Sequence, residues 1–212
     1  MIIDVSFFRI GRWISDRSGK QIKRTAMTAW SDEFEAHGKP VWIVPLQLQH
    51  GLDLAEAINR RNLHRHWYAF IPEPEKVGGE IERCNNFRHE EIMQSFMVID
   101  KRIGKAVDMT TYMNIDPKTP RLEIGSTWYC RSVQLTSLNT ECKLLLRRIT
   151  FDDLNCRAVE FRTHKMNHQR RVAIERLGAK FAGILRAHMV MANGPIRDTA
   201  VYSIINSEWP VI

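Results

Sequence analysis

The chain has 212 residues, enough to bury a substantial core and most simply read as one domain with room for a short appendage. Lys and Arg outnumber Asp and Glu by 31 to 24, a net charge of +7. No window holds the roughly 18 apolar residues of a spanning helix, and Asp4 and Arg9 interrupt the start where a signal peptide would be apolar, so a cytoplasmic protein is expected and a membrane protein is not.

Residues 1–40 mix isolated aromatics (Phe7, Phe8, Trp13, Trp30) with polar residues at no clear period, and Gly38-Lys39-Pro40 then punctuates the chain. The expectation is an N-terminal appendage over 1–40 followed by one domain over 41–212. Residues 41–48 read as a strand, and 51–59 read as a helix with Leu52, Ala55 and Ile58 on its apolar face. Pro72, Pro74 and the Gly78-Gly79 pair predict a loop joining short helices. Residues 94–99 and 106–115 read as two strands separated by a turn at 100–104, and Asp116-Pro117-Lys118-Thr119-Pro120 makes a second turn into a strand over 122–129.

Cys142, Leu145, Leu146 and Ile149 fall at i, i+3, i+4 and i+7, so the next helix has one apolar face, with Lys143, Arg147 and Arg148 assigned to the other. Its start is placed at Ser137 to Asn139, whose short polar side chains can cap the first turn. A strand over 157–162 precedes a helix capped by Asn167, and Gly178 stands where a helix end takes a left-handed residue. A hairpin closes the chain: residues 182–191, a turn at Asn193-Gly194, and residues 197–205. The whole is α/β (α+β), a mixed, mostly antiparallel central sheet flanked by helices.

Charge is concentrated late in the chain. From Arg157 to Arg197 there are nine Lys or Arg against Glu160 and Glu175, a surplus as large as the whole net charge. A nucleic acid or the phosphates of a nucleotide-bearing ligand would both suit that field, as would a plain solvated face. The segment lacks the interleaved aromatics that stack bases, which argues against nucleic acid. Cys84, Cys130, Cys142 and Cys156 show no Cys-x-x-Cys spacing, so reduced thiols are expected. His164 and His168 are separated by a strand-to-helix junction, and no metal is expected there or at His64 and His66.

Leu122-Glu123-Ile124-Gly125, the loop from Gln134 to Asn139, Asn167 followed by Ala173-Ile174-Glu175-Arg176-Leu177-Gly178, and the terminal Ser207-Glu208-Trp209 together resemble the GNAT N-acetyltransferase superfamily. Within it the chain is similar to the RimJ/RimL-like branch of ribosomal-protein N-terminal acetyltransferases. The resemblance implies acetyl-CoA as acyl donor and direct attack of a primary amine on the thioester, with no metal and no covalent enzyme intermediate. It places the pyrophosphate on the amides of Leu135, Thr136, Ser137, Leu138 and Asn139 beside Gln134, an arrangement suited to anions because a helix N-terminus aims several amides and a partial positive charge at one spot. The family pattern Gln/Arg-x-x-Gly-x-Gly/Ala departs here, with Ser137 and Asn139 at the glycine positions.

The same resemblance lays the acyl and pantetheine arm along Ile124, Gly125, Ser126 and Thr127, and brings the side chain of Asn167 to it. Glu123, 11 positions before Gln134, is the expected general base, the interval matching that of the histone-acetyltransferase branch. A structural pairing of Glu123 with Arg121 or Arg162 is its alternative. Where the family often has a tyrosine acid, this chain has Ile174, leaving Tyr129 or Tyr202, or an unassisted thiolate. The acceptor, a protein N-terminus or a small molecule, would lie between residues 64–74 and the hairpin near 188–196. A coenzyme-binding module without catalysis, and a nucleic-acid-binding protein, are the alternative functions. A homodimer is open.

Overall fold

The computed structural model describes residues 12–15, 21–24, 30, 32–59, 71–126, 136–191 and 194–211. Strands β1 (Arg12–Ser15) and β2 (Gln21–Arg24) form an antiparallel ribbon of their own. The remaining strands are β3 (Ala36–His37), β4 (Val41–Pro45), β5 (Gln94–Asp100), β6 (Lys105–Asp116), β7 (Arg121–Gly125), β8 (Ala158–His164), β9 (Lys180–Val190) and β10 (Ile196–Ile205). They make one sheet in the order β3-β4-β5-β6-β7-β8-β10-β9, antiparallel at every step but β7–β8, which is parallel. The parallel step is where the chain makes its crossover through a helix, as the geometry of parallel neighbours demands.

Among the described residues four α-helices flank the sheet: α1 (Gly51–Asn59), α2 (Val77–His89), α3 (Ser137–Arg148) and α4 (His168–Glu175). Because side chains alternate along a strand, each face has its own core. Phe96, Val98, Tyr112, Leu122, Ile124, Val159 and Phe161 pack with Leu138, Cys142, Leu145 and Leu146 of α3 and Ile174 of α4. Met97 and Met109 point the other way, onto Leu54 and Ile58 of α1 and Val77, Ile81 and Cys84 of α2. Phe34 and Ala36 are buried in the first core, and β3 is hydrogen-bonded to β4, so residues just ahead of Val41 pack on the sheet.

Three sequence expectations fail here. The glycine pair does not break the chain: α2 runs from Val77 through Gly78 and Gly79. Both glycines lie in its first turn, and burial of Val77, Ile81 and Cys84 outweighs their poor propensity of about 1 kcal/mol each. The apolar face of α1 is Leu54 and Ile58, while Leu52 is 86% exposed. Lys143 and Arg147 do not face solvent; both are buried, Lys143 against β6 and Arg147 against the residues after α4 and Trp209.

The closing elements follow the sequence. Asn167 caps α4, its Oδ1 accepting from the Arg170 amide at 3.0 Å, and Gly178 takes φ of 85° just past the helix. The β9–β10 hairpin is antiparallel with irregular register opposite Arg197–Thr199. No helix among the described residues is long and apolar enough to cross a membrane.

Candidate active site

The sheet opens at one place. On one side β7 is paired with β6 as far as Gly125, opposite Thr111. On the other side its ladder with β8 stops at Glu123–Glu160, while β8 continues to His164 on the arm of β10. Past Glu123 the two parallel strands therefore part, and Ser126 at φ of 40° turns the chain out of the sheet.

The helices α3 and α4 both begin at this opening. Lys143 Nζ donates to Thr110 Oγ1 at 2.8 Å, and the carbonyl of Leu146, further along α3, accepts from Tyr112, the residue opposite Ile124. The start of α3 thus lies beyond the C-terminal end of β7. Asn167, at the start of α4, follows directly on the end of β8 and donates its amide to the His164 carbonyl. Two helix N-termini converge on one mouth, over one face of the sheet.

Glu123 faces the opposite side. It is buried, its Oε2 accepts from Asn114 Nδ2 at 2.8 Å, and Arg162 Nε lies 3.4 Å away. Arg162 also binds Glu160 at 2.8 Å, and Arg121 closes on Glu160 from the far side, so an alternating row of charges stitches β7 to β8. Burial raises the Glu123 pKa above its usual value, against the opposing pull of Arg162, the Asn114 bond and Arg197. Asn114 reaches the carboxylate from a bulge in β6, where it adopts φ of 48°. Gly125 makes room for it: a Cβ there would sit 2.9 Å from both Glu123 Oε1 and Met113 Sδ.

The sequence and the fold are both matched by known proteins. The family model described as an acetyltransferase (GNAT) domain matches residues 40–180. A GCN5-related N-acetyltransferase from Brucella melitensis is 32% identical over 83% of this chain and 80% of that one, with a TM-score of 0.76. The chain belongs to the GNAT acetyltransferase family.

Other GNAT structures share the fold at lower identity. The microcin C7 self immunity acetyltransferase MccE, solved in complex with acetyl-CoA and AMP, is 17% identical over 79% of this chain and 93% of that one, TM-score 0.70. The ribosomal-protein-S5-alanine acetyltransferase from Vibrio fischeri is 15% identical over 82% and 98%, TM-score 0.67. No curated protein sequence matches.

Of the residues that the sequence singled out, Glu123, Ile124, Gly125 and Ser126 lie together at the parting of β7 and β8, and Asn167 lies at the start of α4. Thr136 is the N-cap of α3, without a side-chain cap bond, and Ser137, Leu138 and Asn139 form its first turn. The capping role expected of the side chains from Ser137 to Asn139 therefore fails by register, because the helix has already begun. Leu138 is buried in the core, and Asn139 Oδ1 is shielded from solvent with no hydrogen-bond partner among the described residues. Thr127, Gln134 and Leu135 lie outside the described residues, as do Tyr129, His64, His66 and Cys130. Tyr202 is wholly buried in the sheet, its hydroxyl accepting from Arg171 and donating to Glu175 of α4.

The sequence missed the cations beneath α3. Lys143 is 3% exposed, and burial pushes its pKa down to about 8. Arg147 donates to the carbonyls of Lys143 (3.2 Å) and Leu177 (2.6 Å) and lies over the Trp209 ring at 5.5 Å. It thereby ties α3 to the end of α4 and to the C-terminal residues. The free cysteines Cys84, Cys142 and Cys156 are buried, with thiols raised by desolvation. Among the described residues no group of three or more His, Cys, Asp or Glu could hold a metal ion.

Proposed function

We propose that this GNAT protein is an acetyl-CoA-dependent N-acetyltransferase that moves an acetyl group to a primary amine by direct attack on the thioester. The observation that carries the reading is the buried, raised carboxylate of Glu123 beside the gap between β7 and β8. An amine attacks only as its neutral form, so a base must take one proton from the ammonium. A carboxylate whose pKa burial has raised is a stronger base than an exposed one, and Asn114 and Arg162 fix its direction.

Acetyl-CoA, the acyl donor, supplies an activated acetyl group on a good leaving group. Its phosphates fit the first-turn amides of α3 at Ser137, Leu138 and Asn139, together with Gln134, Leu135 and Thr136, since a helix N-terminus binds anions without a metal. Its acyl arm is assigned to the edge of β7 at Ile124 and Gly125, where β8 no longer takes the backbone bonds, and to Ser126 and Thr127, which follow in sequence. Oxyanion charge would then meet a strand amide. Asn167 has its Oδ1 engaged in capping α4, which leaves its Nδ2 to donate to an amide carbonyl of that arm. Tyr202, tied to Arg171 and Glu175, is not offered as the acid, so thiolate leaves unassisted or with Tyr129. The fold shared with ribosomal-protein acetyltransferases favours the RimJ/RimL-like branch.

Calorimetric titration of the whole chain with acetyl-CoA tests the donor site, with Ser137→Pro beside it. Proline at the first helical position preserves the helix and removes one amide. Saturable binding, weakened in the variant, is the expected result; no binding at millimolar acetyl-CoA sinks the reading.

A further inference from the structure

The face of the sheet that carries Glu123 also carries more positive charge than Glu123 needs. Strand alternation puts Glu160, Arg162 and His164 of β8 on this face, with Val201 and Thr199 of β10 opposite Arg162 and His164. Arg197, two residues before Thr199, continues the row, and His188 of β9 joins it with Nδ1 3.0 Å from Thr199 Oγ1. Glu123 is already served by Arg162 and Asn114, and Glu160 by Arg121 and Arg162. Arg197 remains. Its side chain is more than half buried, and its Nε is sealed from solvent with no hydrogen-bond partner among the described residues.

A buried guanidinium N–H with nothing to donate to is costly, and a guanidinium offers a planar fork suited to a carboxylate or phosphate. The charge of the nearby Glu123 carboxylate offsets part of that cost, but no hydrogen bond among the described residues reaches Nε. Burial and the nearby Arg162 and Arg197 both lower the His188 pKa, which marks a pocket of positive potential. The donor's phosphates are assigned to the N-terminus of α3, on the opposite face, so they do not satisfy Arg197. The strands β7 and β10 are two spacings apart, about 10 Å. The long arginine side chain shortens that span, so an amine at Glu123 and an anion at Arg197 can belong to one small molecule.

We infer that Arg197 is a specificity-determining residue that binds an anionic group of the acceptor, so that the acceptor class is a small primary amine carrying a carboxylate or phosphate. The inference rests on the acetyltransferase reading above and names its substrate class.

The test measures thiol release by the full chain at saturating acetyl-CoA with two matched pairs of amines, glycine against glycinamide and phosphoethanolamine against ethanolamine. The anionic member of one pair should give kcat/KM at least about tenfold higher than its neutral mate, the size of one charge-assisted hydrogen bond. The pair that responds tells carboxylate from phosphate. Glycinamide is the weaker base and offers more neutral amine at a given pH, so a preference for glycine cannot come from amine ionisation. Arg197→Gln should bring the ratio near one and Arg197→Lys should restore part of it, with acetyl-CoA affinity unchanged in both. If Arg197→Gln fails to fold, the wild-type ratios and their fall with added salt decide the matter.

Neutral amines used as well as anionic ones, a ratio that survives Arg197→Gln, or acetyl-CoA bound with none of the four amines acetylated, each overturns this acceptor class while leaving the donor site standing. Absence of acetyl-CoA binding overturns the acetyltransferase reading and this inference with it.

Discussion

The two faces of the sheet at the parting of β7 and β8 treat buried charge in opposite ways. Under α3, Lys143 and Arg147 are buried with their donors spent on Thr110 and on the carbonyls of Lys143 and Leu177. On the other face Glu123 is buried with a raised pKa, and Arg197 keeps a sealed N–H with no hydrogen-bond partner among the described residues. Charges of the first kind hold elements together. Burial costs charge on both faces, lowering the pKa values of Lys143 and Arg147 as it raises that of Glu123, but the sealed donor without a hydrogen-bond partner among the described residues is on the second, and an unspent donor suits a binding group. Helices α3 and α4 cover one face; the proton chemistry is assigned to the other, where α1 and α2 pack.

Substitutions at Glu123 should break this division most sharply if it is wrong. Glu123→Gln is expected to lower kcat by about 10² to 10⁴-fold, read by thiol release, with acetyl-CoA affinity kept. Because the folded-state pKa lies above the unfolded one, ionising Glu123 costs the folded chain stability as pH rises through that range, and the glutamine variant escapes the cost. Its melting temperature at neutral pH should therefore be no lower than that of the wild type. The acid limb of the wild-type kcat/KM profile should sit above the ordinary glutamate value of about 4.3, falling as pH falls, and should be missing from residual activity of the variant.

The supporting face should show the reverse pattern. Arg147→Ala is expected to lose about 2 to 4 kcal/mol in denaturant unfolding, since it removes donors to two buried carbonyls and a stack on Trp209, while the folded fraction keeps its activity. Gly125→Ala should blur the comparison, costing about 1 to 3 kcal/mol by overpacking against Met113 and displacing the Glu123 carboxylate, so that stability and rate fall together. The smallest effect is assigned to the α4 cap. Asn167→Ala should cost about 1 kcal/mol, whereas Asn167→Ser should keep the cap; weaker acetyl-CoA binding in the serine variant would assign Nδ2 to the coenzyme.

Local chemistry made much of this legible in advance. The turns at 100–104 and 116–120, the Asn167 cap and the left-handed Gly178 follow from what those residue types do to a backbone; the turns bounded β5 and β6, and the periods of 2 and 3.6 laid out β8 and α3. What failed was settled by tertiary contact. Gly78 and Gly79 read as a break because propensity is local, while the burial of Ile81 and Cys84 is not. Lys143 and Arg147 read as solvent-facing because periodicity counts a charge as polar, whatever partner waits on β6 or beyond α4. Arg197 and Asn114 carried no signal on their own. Their proximity to Glu123 depends on strand order and on a bulge, and neither is written in a linear pattern.

Three residue pairs join β7 to β8, Arg121 to Ala158 through Glu123 to Glu160, with the arginine and glutamate side chains riveting the join on one face. On either side of that short seam lies a packet of strands paired antiparallel with its own neighbours, residues 36–125 on one side and 158–205 on the other. Amide exchange should therefore resolve two cooperative units rather than one, with the boundary along the seam, and a ligand seated in the gap beyond Glu123 would bridge both and merge their openings.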